Sequence, residues 1–218
     1  MKSSFYVYGI LLPPGPQNLS LEGLDGEDVN IKIVDGFAVL YSIAKQESYL
    51  ASRRNLITHE KVLEFFMEAG YRNVLPMQFG LVVSDWEKFS QKLTNPFGTA
   101  MKEIFAKLEN NREVGVKVYW EADTEIQKLF AENQELKTQR DSLVGQNLSM
   151  DQVVQIGQAI EQETEKMIYN AAYLIPWDKE PEFGEKVEAI DGQFEGKFTI
   201  RYNSFTAPFN FAQIEQKD

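Results

Sequence analysis

The chain is organised around residues 58–83, where apolar residues recur with a regular period. The first half of this segment repeats at the period of a helix, which predicts an amphipathic helix that begins at a Thr58 cap and ends at Gly70. The second half of this segment alternates between apolar and other residues, which predicts a strand over Leu75–Val83. Pro76 lacks an N–H donor, so it is expected at the start of this strand or at the edge of a sheet.

The residues before this pattern predict three strands and a short helix. Phe5–Leu11 is apolar on both faces, as in the middle of a sheet. Val29–Ile33 alternates, and Asp35-Gly36 is a strong hairpin signal that joins it to a partner strand over Phe37–Ile43. Glu47–Arg54 is interpreted as a short helix.

Two surface helices, Asp85–Leu93 and Phe97–Glu109, are predicted next, separated by Asn95-Pro96. The first domain is therefore expected to span residues 1–110. Its two-sided apolar strands leave open whether one face of the sheet is free, or whether the second helix and the other domain cover it.

Residues 111–218 predict a second domain that begins with an alternating strand over Val114–Trp120. A heptad pattern then predicts a coiled-coil-like helical hairpin over about residues 123–166. The remaining elements are a strand at Tyr169–Ile175, a helix at Phe183–Phe194 and a strand at Phe198–Tyr202. The predicted fold class is α+β, with two domains whose antiparallel or mixed sheets carry helices on one side.

Composition restricts the classes of function. The chain has 218 residues, of which 43% are hydrophobic and 12% aromatic, enough for a substantial core. The net charge of −11 argues against nucleic acid and against an anionic lipid membrane as partners. There is no cysteine, which suits the cytoplasm and excludes thiolate metal sites. No apolar run is long enough to span a bilayer.

Candidate chemistry is sparse, and no catalytic site, cofactor site or metal site is predicted. His59 is the only histidine, and His59-Glu60 lacks the second histidine of a zinc-protease motif. His59 is therefore interpreted as a surface or turn residue whose replacement by Ala leaves function and stability nearly unchanged. Glu60, Glu64 and Glu68 are interpreted as a solvated helix face rather than as cation ligands.

Several segments resemble the GvpF/GvpL family of gas vesicle proteins. The helix that begins His59-Glu60-x-Val62-Leu63-Glu64 is followed by Leu75-Pro76-x-x-Phe79-Gly80. Gly36-Phe37-Ala38-Val39-Leu40-Tyr41 and Asn170-Ala171-Ala172-Tyr173-Leu174 resemble further family segments. In the family a longer helical stretch precedes the latter strand. Here the two are joined almost directly, which indicates either a deletion or missing residues near Glu163–Met167.

The resemblance implies a gas vesicle accessory or minor structural protein, in the cytoplasm and associated with the vesicle. Its implied partners are the hydrophobic shell protein and other accessory proteins, and no enzymatic activity is implied. An alternative from the element pattern is a regulatory protein that binds a small ligand through ferredoxin-like domains.

Six residues are predicted to contact the partner, all in the first domain. Gly80 would let another backbone come close, and an exposed sheet edge or apolar groove near it could accept a partner segment. Arg53-Arg54 could pair with acidic groups, although a local salt bridge is the alternative. The predicted partner-binding residues are Pro76, Gln78, Phe79, Gly80, Arg53 and Arg54.

Overall fold

The computed structural model describes residues 4–16, 19–120, 166–194 and 197–214. Two sheets are present together with helices, and the predicted α+β class is confirmed. In chain order the strands and helices are β1 Ser4–Leu11, β2 Asn30–Val34, β3 Phe37–Ala44, α1 Arg53–Glu68, β4 Leu75–Pro76, β5 Val82–Val83, α2 Trp86–Phe89, a π-helical turn Ser90–Thr94, α3 Asn95–Leu108, β6 Asn111–Trp120, β7 Lys166–Pro176, α4 Glu180–Gln193 and β8 Phe198–Thr206.

The first sheet is built around β1, whose partners are all antiparallel to it. The strand order is β2-β3-β1-β4, and β5 also pairs with β1. The predicted hairpin between β2 and β3 is confirmed. Asp35 and Gly36 both adopt positive φ, 49° and 81°, which gives the tight turn that joins strands of right-handed twist.

Both faces of β1 are buried, and a β-bulge between Val7 and Gly9 shifts the alternation of the side chains that follow it. Tyr6, Tyr8 and Leu11 belong to one hydrophobic cluster, and Val7 and Ile10 to the other. Helix α1 packs into the first cluster and α3 into the second. The expectation of helices on one side is therefore wrong for this sheet, and the alternative that a helix covers the second face is correct.

Helix α1 begins six residues before the predicted start, because its cap is Ser52 rather than Thr58. Ser52 is its N-cap, and its hydroxyl accepts a hydrogen bond from the Asn55 N–H at 3.3 Å. Thr58 lies inside the helix, where its hydroxyl donates to the Arg54 carbonyl. The predicted end at Gly70 is confirmed. Gly70 has a φ of 93°, and the Tyr71 N–H donates to the Phe66 carbonyl in the pattern of a Schellman motif.

The single strand predicted over Leu75–Val83 is interrupted. Leu75–Pro76 and Val82–Val83 pair with β1 as strands, and Met77–Leu81 forms a loop between them. The two ends of the loop still bond to the backbone of β1, since the Met77 N–H donates to the Tyr8 carbonyl and the Leu81 carbonyl accepts from the Val7 N–H. Gly80, with a φ of 93°, turns the chain out of extended geometry. The apolar alternation in the sequence therefore runs through a loop in which side chains bind two backbone groups, the Met77 carbonyl and the Gly80 N–H.

Two other predicted boundaries are wrong. Glu47–Arg54 is not a helix, since residues 45–52 are irregular and end at the Ser52 cap. The predicted break at Asn95-Pro96 does not interrupt the helical segments, which follow one another from Trp86 to Leu108. Proline occupies the first turn of α3, where no intrahelical donor is needed.

The chain divides into two compact units. The first comprises Met1–Val114, Leu174–Trp177 and Phe205–Asp218, and the second comprises Gly115–Tyr173 and Asp178–Ser204. The boundary between two independently folding domains at residues 110 and 111 stays a prediction. The predicted helical hairpin and its coiled-coil pattern, about residues 123–166, lie almost wholly outside the described residues.

The later part of the first unit is tied to β6 by a buried carboxylate. Glu113 is 3% exposed, and its two oxygens accept hydrogen bonds from the backbone and side-chain nitrogens of Asn210 at 2.9 and 2.6 Å. Burial raises the pKa of Glu113, while the hydrogen bonds from Asn210 oppose that rise. In the same unit, the guanidinium groups of Arg72 and Arg112 stack on the Trp177 ring.

In the second unit, described residues of the second sheet pack against α4. The strand order of that sheet is β7-β6-β8. The Phe183 ring lies between the rings of Tyr173 and Tyr202, with centroid distances of 5.5 and 5.8 Å. The Tyr202 hydroxyl donates to Glu180 at 3.0 Å. Aromatic contacts therefore join the helix to two strands.

We predict that Gly9→Ala destabilises the protein. A Cβ at Gly9 would lie 2.9 Å from Leu63 Cδ2 and 3.0 Å from the Leu75 carbonyl oxygen, so α1 or β4 must shift. Overpacking of this kind costs about 1–3 kcal/mol of unfolding free energy, which urea denaturation would measure.

The control is Gly98→Ala in α3. A Cβ there meets the Phe37 ring at an ordinary 3.7 Å, and alanine favours a helix over glycine, so the variant should be at least as stable as wild type. Equal stability of both variants would contradict the close packing of α1 on β1.

Candidate functional site

A groove with a volume of about 650 Å³ opens beside β5. One wall is the chain segment from Met77 to Asp85, and the other is formed by Lys88, Phe89, Lys92 and Leu93. The floor and walls are mostly apolar, and several of these residues pack on the second hydrophobic cluster. A groove of this kind fits a partner segment with apolar side chains.

A buried histidine holds the first wall in place. His59 lies in α1 and is 2% exposed. Its Nδ1 is 2.9 Å from the Tyr6 hydroxyl, and its Nε2 is 3.2 Å from the Met77 carbonyl oxygen. The Tyr6 hydroxyl also accepts a hydrogen bond from the Gly80 N–H at 3.0 Å. We call these four residues the histidine latch.

Chemistry fixes the direction of every hydrogen bond in the histidine latch. A carbonyl oxygen only accepts, so His59 Nε2 carries a hydrogen and donates it to Met77. In the neutral ring Nδ1 then accepts, and the Tyr6 O–H donates to it. Burial lowers the pKa of His59 to about 4, and it raises the pKa of Tyr6. Both side chains are therefore uncharged near neutral pH.

The prediction that His59 is a surface or turn residue is wrong. Because α1 begins at Arg53 rather than near Thr58, His59 falls in the second turn and on the buried face. The imidazole ring also packs edge-on against the Tyr6 and Phe79 rings. Its replacement by Ala is expected to destabilise the fold, since two buried polar groups would lose their partner.

Two further tyrosines, Tyr8 and Tyr49, pack their rings against Tyr6 and form separate hydrogen bonds. The Tyr8 hydroxyl accepts from the Leu24 N–H at 2.7 Å and shares a hydrogen bond with the Ser42 hydroxyl. The Tyr49 hydroxyl donates to Asp25 at 2.8 Å. Burial and then the Asp25 hydrogen bond raise the pKa of Tyr49 to about 12. Each buried hydroxyl thus has a partner, as a stable core requires.

The second wall of the groove is held by the β2–β3 hairpin. Asp35 accepts hydrogen bonds from the hydroxyls of Ser90 and Thr94, each at 2.5 Å. These two residues begin and end the π-helical turn. The hydrogen bonds from Ser90 and Thr94 keep the pKa of Asp35 below its usual value. The turn residue of one hairpin therefore positions the helical wall.

The groove carries a local positive charge in an acidic protein. Lys88 and Lys92 are exposed and lie one helical turn apart in its wall. Within the part of the chain that the structure describes, neither forms an ion pair. Asp85 is the one carboxylate in the described lining, and its side chain caps α2 by accepting from the Glu87 N–H.

The structure separates the six predicted partner-binding residues into two groups. Gln78, Phe79 and Gly80 line the groove, and Pro76 is buried in the adjacent edge strand β4. Arg53 and Arg54 are exposed in the first turn of α1 and are not among the groove residues. Their role in partner binding stays a prediction.

Other groove residues were not among those predicted. Lys88-Phe89 and Lys92-Leu93 repeat a lysine followed by an apolar residue at a spacing of four. That spacing places two lysines on one helical face beside two apolar residues, and this pattern could have identified the wall. Asp35 could be identified only as a turn residue, because its partners lie 55 and 59 residues further along the chain.

No group of three or more histidine, cysteine or acidic residues that could hold a metal ion occurs within residues 4–16, 19–120, 166–194 and 197–214. Among the helices described, none is long and apolar enough to cross a membrane.

Comparison with known proteins identifies the class as gas vesicle proteins. The family model for the gas vesicle synthesis protein GvpL/GvpF matches residues 4–166 and 161–213. This chain belongs to the GvpL/GvpF family. The two matched segments meet at residues 161–166, close to the place where the sequence departs from the family pattern.

Curated relatives match along nearly their whole length. The chain is 46% identical to gas vesicle protein F of Microcystis aeruginosa, covering 98% of this chain and 100% of the relative. It is 48% identical to gas vesicle protein F of Dolichospermum flosaquae, covering 99% and 100%. That alignment spans 244 positions, more than the 218 residues of this chain, so the relative has residues without a counterpart here.

Two solved structures share the fold. The crystal structure of gas vesicle protein GvpF from Microcystis aeruginosa matches with a TM-score of 0.75 and 45% identity, covering 97% of this chain and 99% of that one. The crystal structure of GvpF from Anabaena sp. PCC7120 matches with a TM-score of 0.78 and 42% identity, covering 99% and 98%.

We predict that His59 makes stability fall between about pH 6.5 and pH 4. The unfolded chain binds a proton at the usual histidine pKa of 6.5, but the folded protein does so only near 4, so acid favours unfolding in this window. The difference in pKa corresponds to about 3 kcal/mol of unfolding free energy.

His59→Gln is the matched variant, because glutamine keeps a donor and an acceptor but does not ionise. Since His59 is the only histidine, the carboxylates contribute equally to both proteins. The loss of stability from pH 7 to pH 4, measured by urea denaturation, should be smaller in the variant by about 3 kcal/mol. Identical pH profiles would show that His59 is not buried and neutral.

Proposed function

We propose that this protein is an accessory or minor structural protein of gas vesicles that binds the hydrophobic shell protein and supports vesicle assembly. The observation that carries the proposal is membership of the GvpL/GvpF family, whose description names gas vesicle synthesis. It acts in the cytoplasm and associates with the growing vesicle. Other gas vesicle accessory proteins are its further partners.

The physical basis of the proposal is the protection of apolar surface. A shell that excludes water is built from subunits that expose apolar surface before they assemble, and such surface aggregates. A partner that covers this surface and carries a net charge of −11 would keep the complex dispersed by charge repulsion. In this role the protein needs an apolar contact surface and no catalytic centre.

The proposed contact surface lies in the first unit. Gln78, Phe79 and Gly80 line an apolar groove whose walls are fixed by the histidine latch and by Asp35. Binding to a preformed groove loses less conformational entropy than binding to a surface that must first become ordered. Arg53 and Arg54 are proposed to contact acidic groups at the margin of the same partner.

We predict that the full chain binds purified shell protein and that vesicles fail to form without it. The two tests are copurification from a co-expressing host and deletion of the gene in a vesicle-forming cell, with vesicles counted by electron microscopy. Restoring the wild-type gene is the control. Normal vesicle numbers in the deletion strain, together with no copurification, would contradict the proposal.

A further inference from the structure

Strand β5 leaves one edge of the first sheet without a partner strand among the described residues. It pairs with β1 through Val82 opposite Tyr6 and Val83 opposite Phe5, and with no other described strand. Val82 and Val83 are both among the residues that line the groove.

The backbone of Val82 directs its polar groups away from β1. The Val7 N–H donates to the Leu81 carbonyl at 2.9 Å, so Val7 and Leu81 form a hydrogen-bonded pair. Bonded and non-bonded pairs alternate along an antiparallel ladder, and the next pair, Tyr6 with Val82, is therefore non-bonded. The N–H and C=O of Val82 thus face away from β1. An added strand satisfies such groups.

The side chains around this edge select the chemistry of the added strand. Met77, Leu81, Phe89 and Leu93 offer apolar contact to side chains of an extended segment. Lys88 and Lys92 stand in the opposite wall, exposed and one turn apart. In a protein with a net charge of −11, this pair is a local attraction for carboxylates.

We propose that the β5 edge accepts an extended, acidic segment of the gas vesicle shell protein as an additional strand. The segment pairs its backbone with Val82, places apolar side chains in the groove, and directs a carboxylate to Lys88 and Lys92. This inference rests on the proposed function and adds to it the site, the binding mode and the charge of the partner segment. The groove is preformed, since the histidine latch and Asp35 fix its walls in the absence of a partner.

The experiment compares two charge-reversal variants of the full chain. Lys88→Glu with Lys92→Glu changes the groove, whereas Lys61→Glu with Lys102→Glu makes the same charge change on exposed positions of α1 and α3. Binding to purified shell protein in mild detergent is measured by titration calorimetry. We expect the groove variant to raise Kd about tenfold or more and the control variant to raise it less than about twofold.

A second variant tests the backbone pairing. Val82→Pro removes the outward N–H, which β1 does not use, so the fold should tolerate the change at this edge position. The Val82→Pro variant should bind the shell protein about tenfold more weakly than wild type. Its urea midpoint should differ from that of wild type by no more than an ordinary surface substitution causes. A shell-protein variant whose acidic residue in the bound segment is changed to Lys should restore binding to the groove variant.

Each outcome decides between the two proposals. If wild type does not bind the shell protein, the proposed function fails and this inference fails with it. If wild type, the groove variant and the control variant bind equally, only this inference fails. If the groove changes instead abolish a self-association of wild type and leave shell-protein binding intact, the occupant is a second copy and the inference is overturned.

Discussion

The first unit depends on one chain of buried hydrogen bonds, from the Gly80 N–H through Tyr6 and His59 to the Met77 carbonyl. A loop in the middle of a sheet edge leaves backbone polar groups without ladder partners, and a buried group without a partner costs about 1–3 kcal/mol. Side chains from β1 and α1 supply the missing partners. The loop therefore leaves the ladder with its Gly80 N–H and Met77 carbonyl hydrogen-bonded, and it forms a wall of the groove.

This arrangement constrains the residues around it. Tyr6 must be on β1 to reach both His59 and Gly80. The bulge between Val7 and Gly9 determines which of the later β1 side chains point toward α1 and which point toward α3. Gly9 admits Leu63 at close range, which brings α1 near enough for the imidazole to reach the loop. The packing of α1 on β1 and the hydrogen bonds of the histidine latch therefore depend on each other. Both require side chains that are uncharged and tightly packed.

Sequence patterns predicted the elements whose signals are local. The hairpin at Asp35-Gly36, the helix end at Gly70 and strands β1, β2, β3, β6, β7 and β8 follow from turn chemistry and periodicity. The position of His59 did not follow, because it depends on a helix start at the Ser52 cap, and the sequence pattern placed that start at Thr58 instead. The interruption of Leu75–Val83 depends on Tyr6, which is more than 70 residues away in sequence. Hydrogen bonds between residues so far apart in the sequence do not produce a periodic pattern of apolar residues.

The groove also shows why the candidate contact residues were found only in part. Gln78, Phe79 and Gly80 were identified by a glycine that permits close approach, which is a property of one segment. The opposite wall comes from a helix that Asp35 holds in place across more than 50 residues. A binding surface formed by two segments exists only when the fold brings those segments close together. The sequence alone therefore does not show that the strand edge lies beside Lys88 and Lys92. The charge selectivity of the groove is therefore a property of the tertiary structure, although each lysine is visible in the sequence.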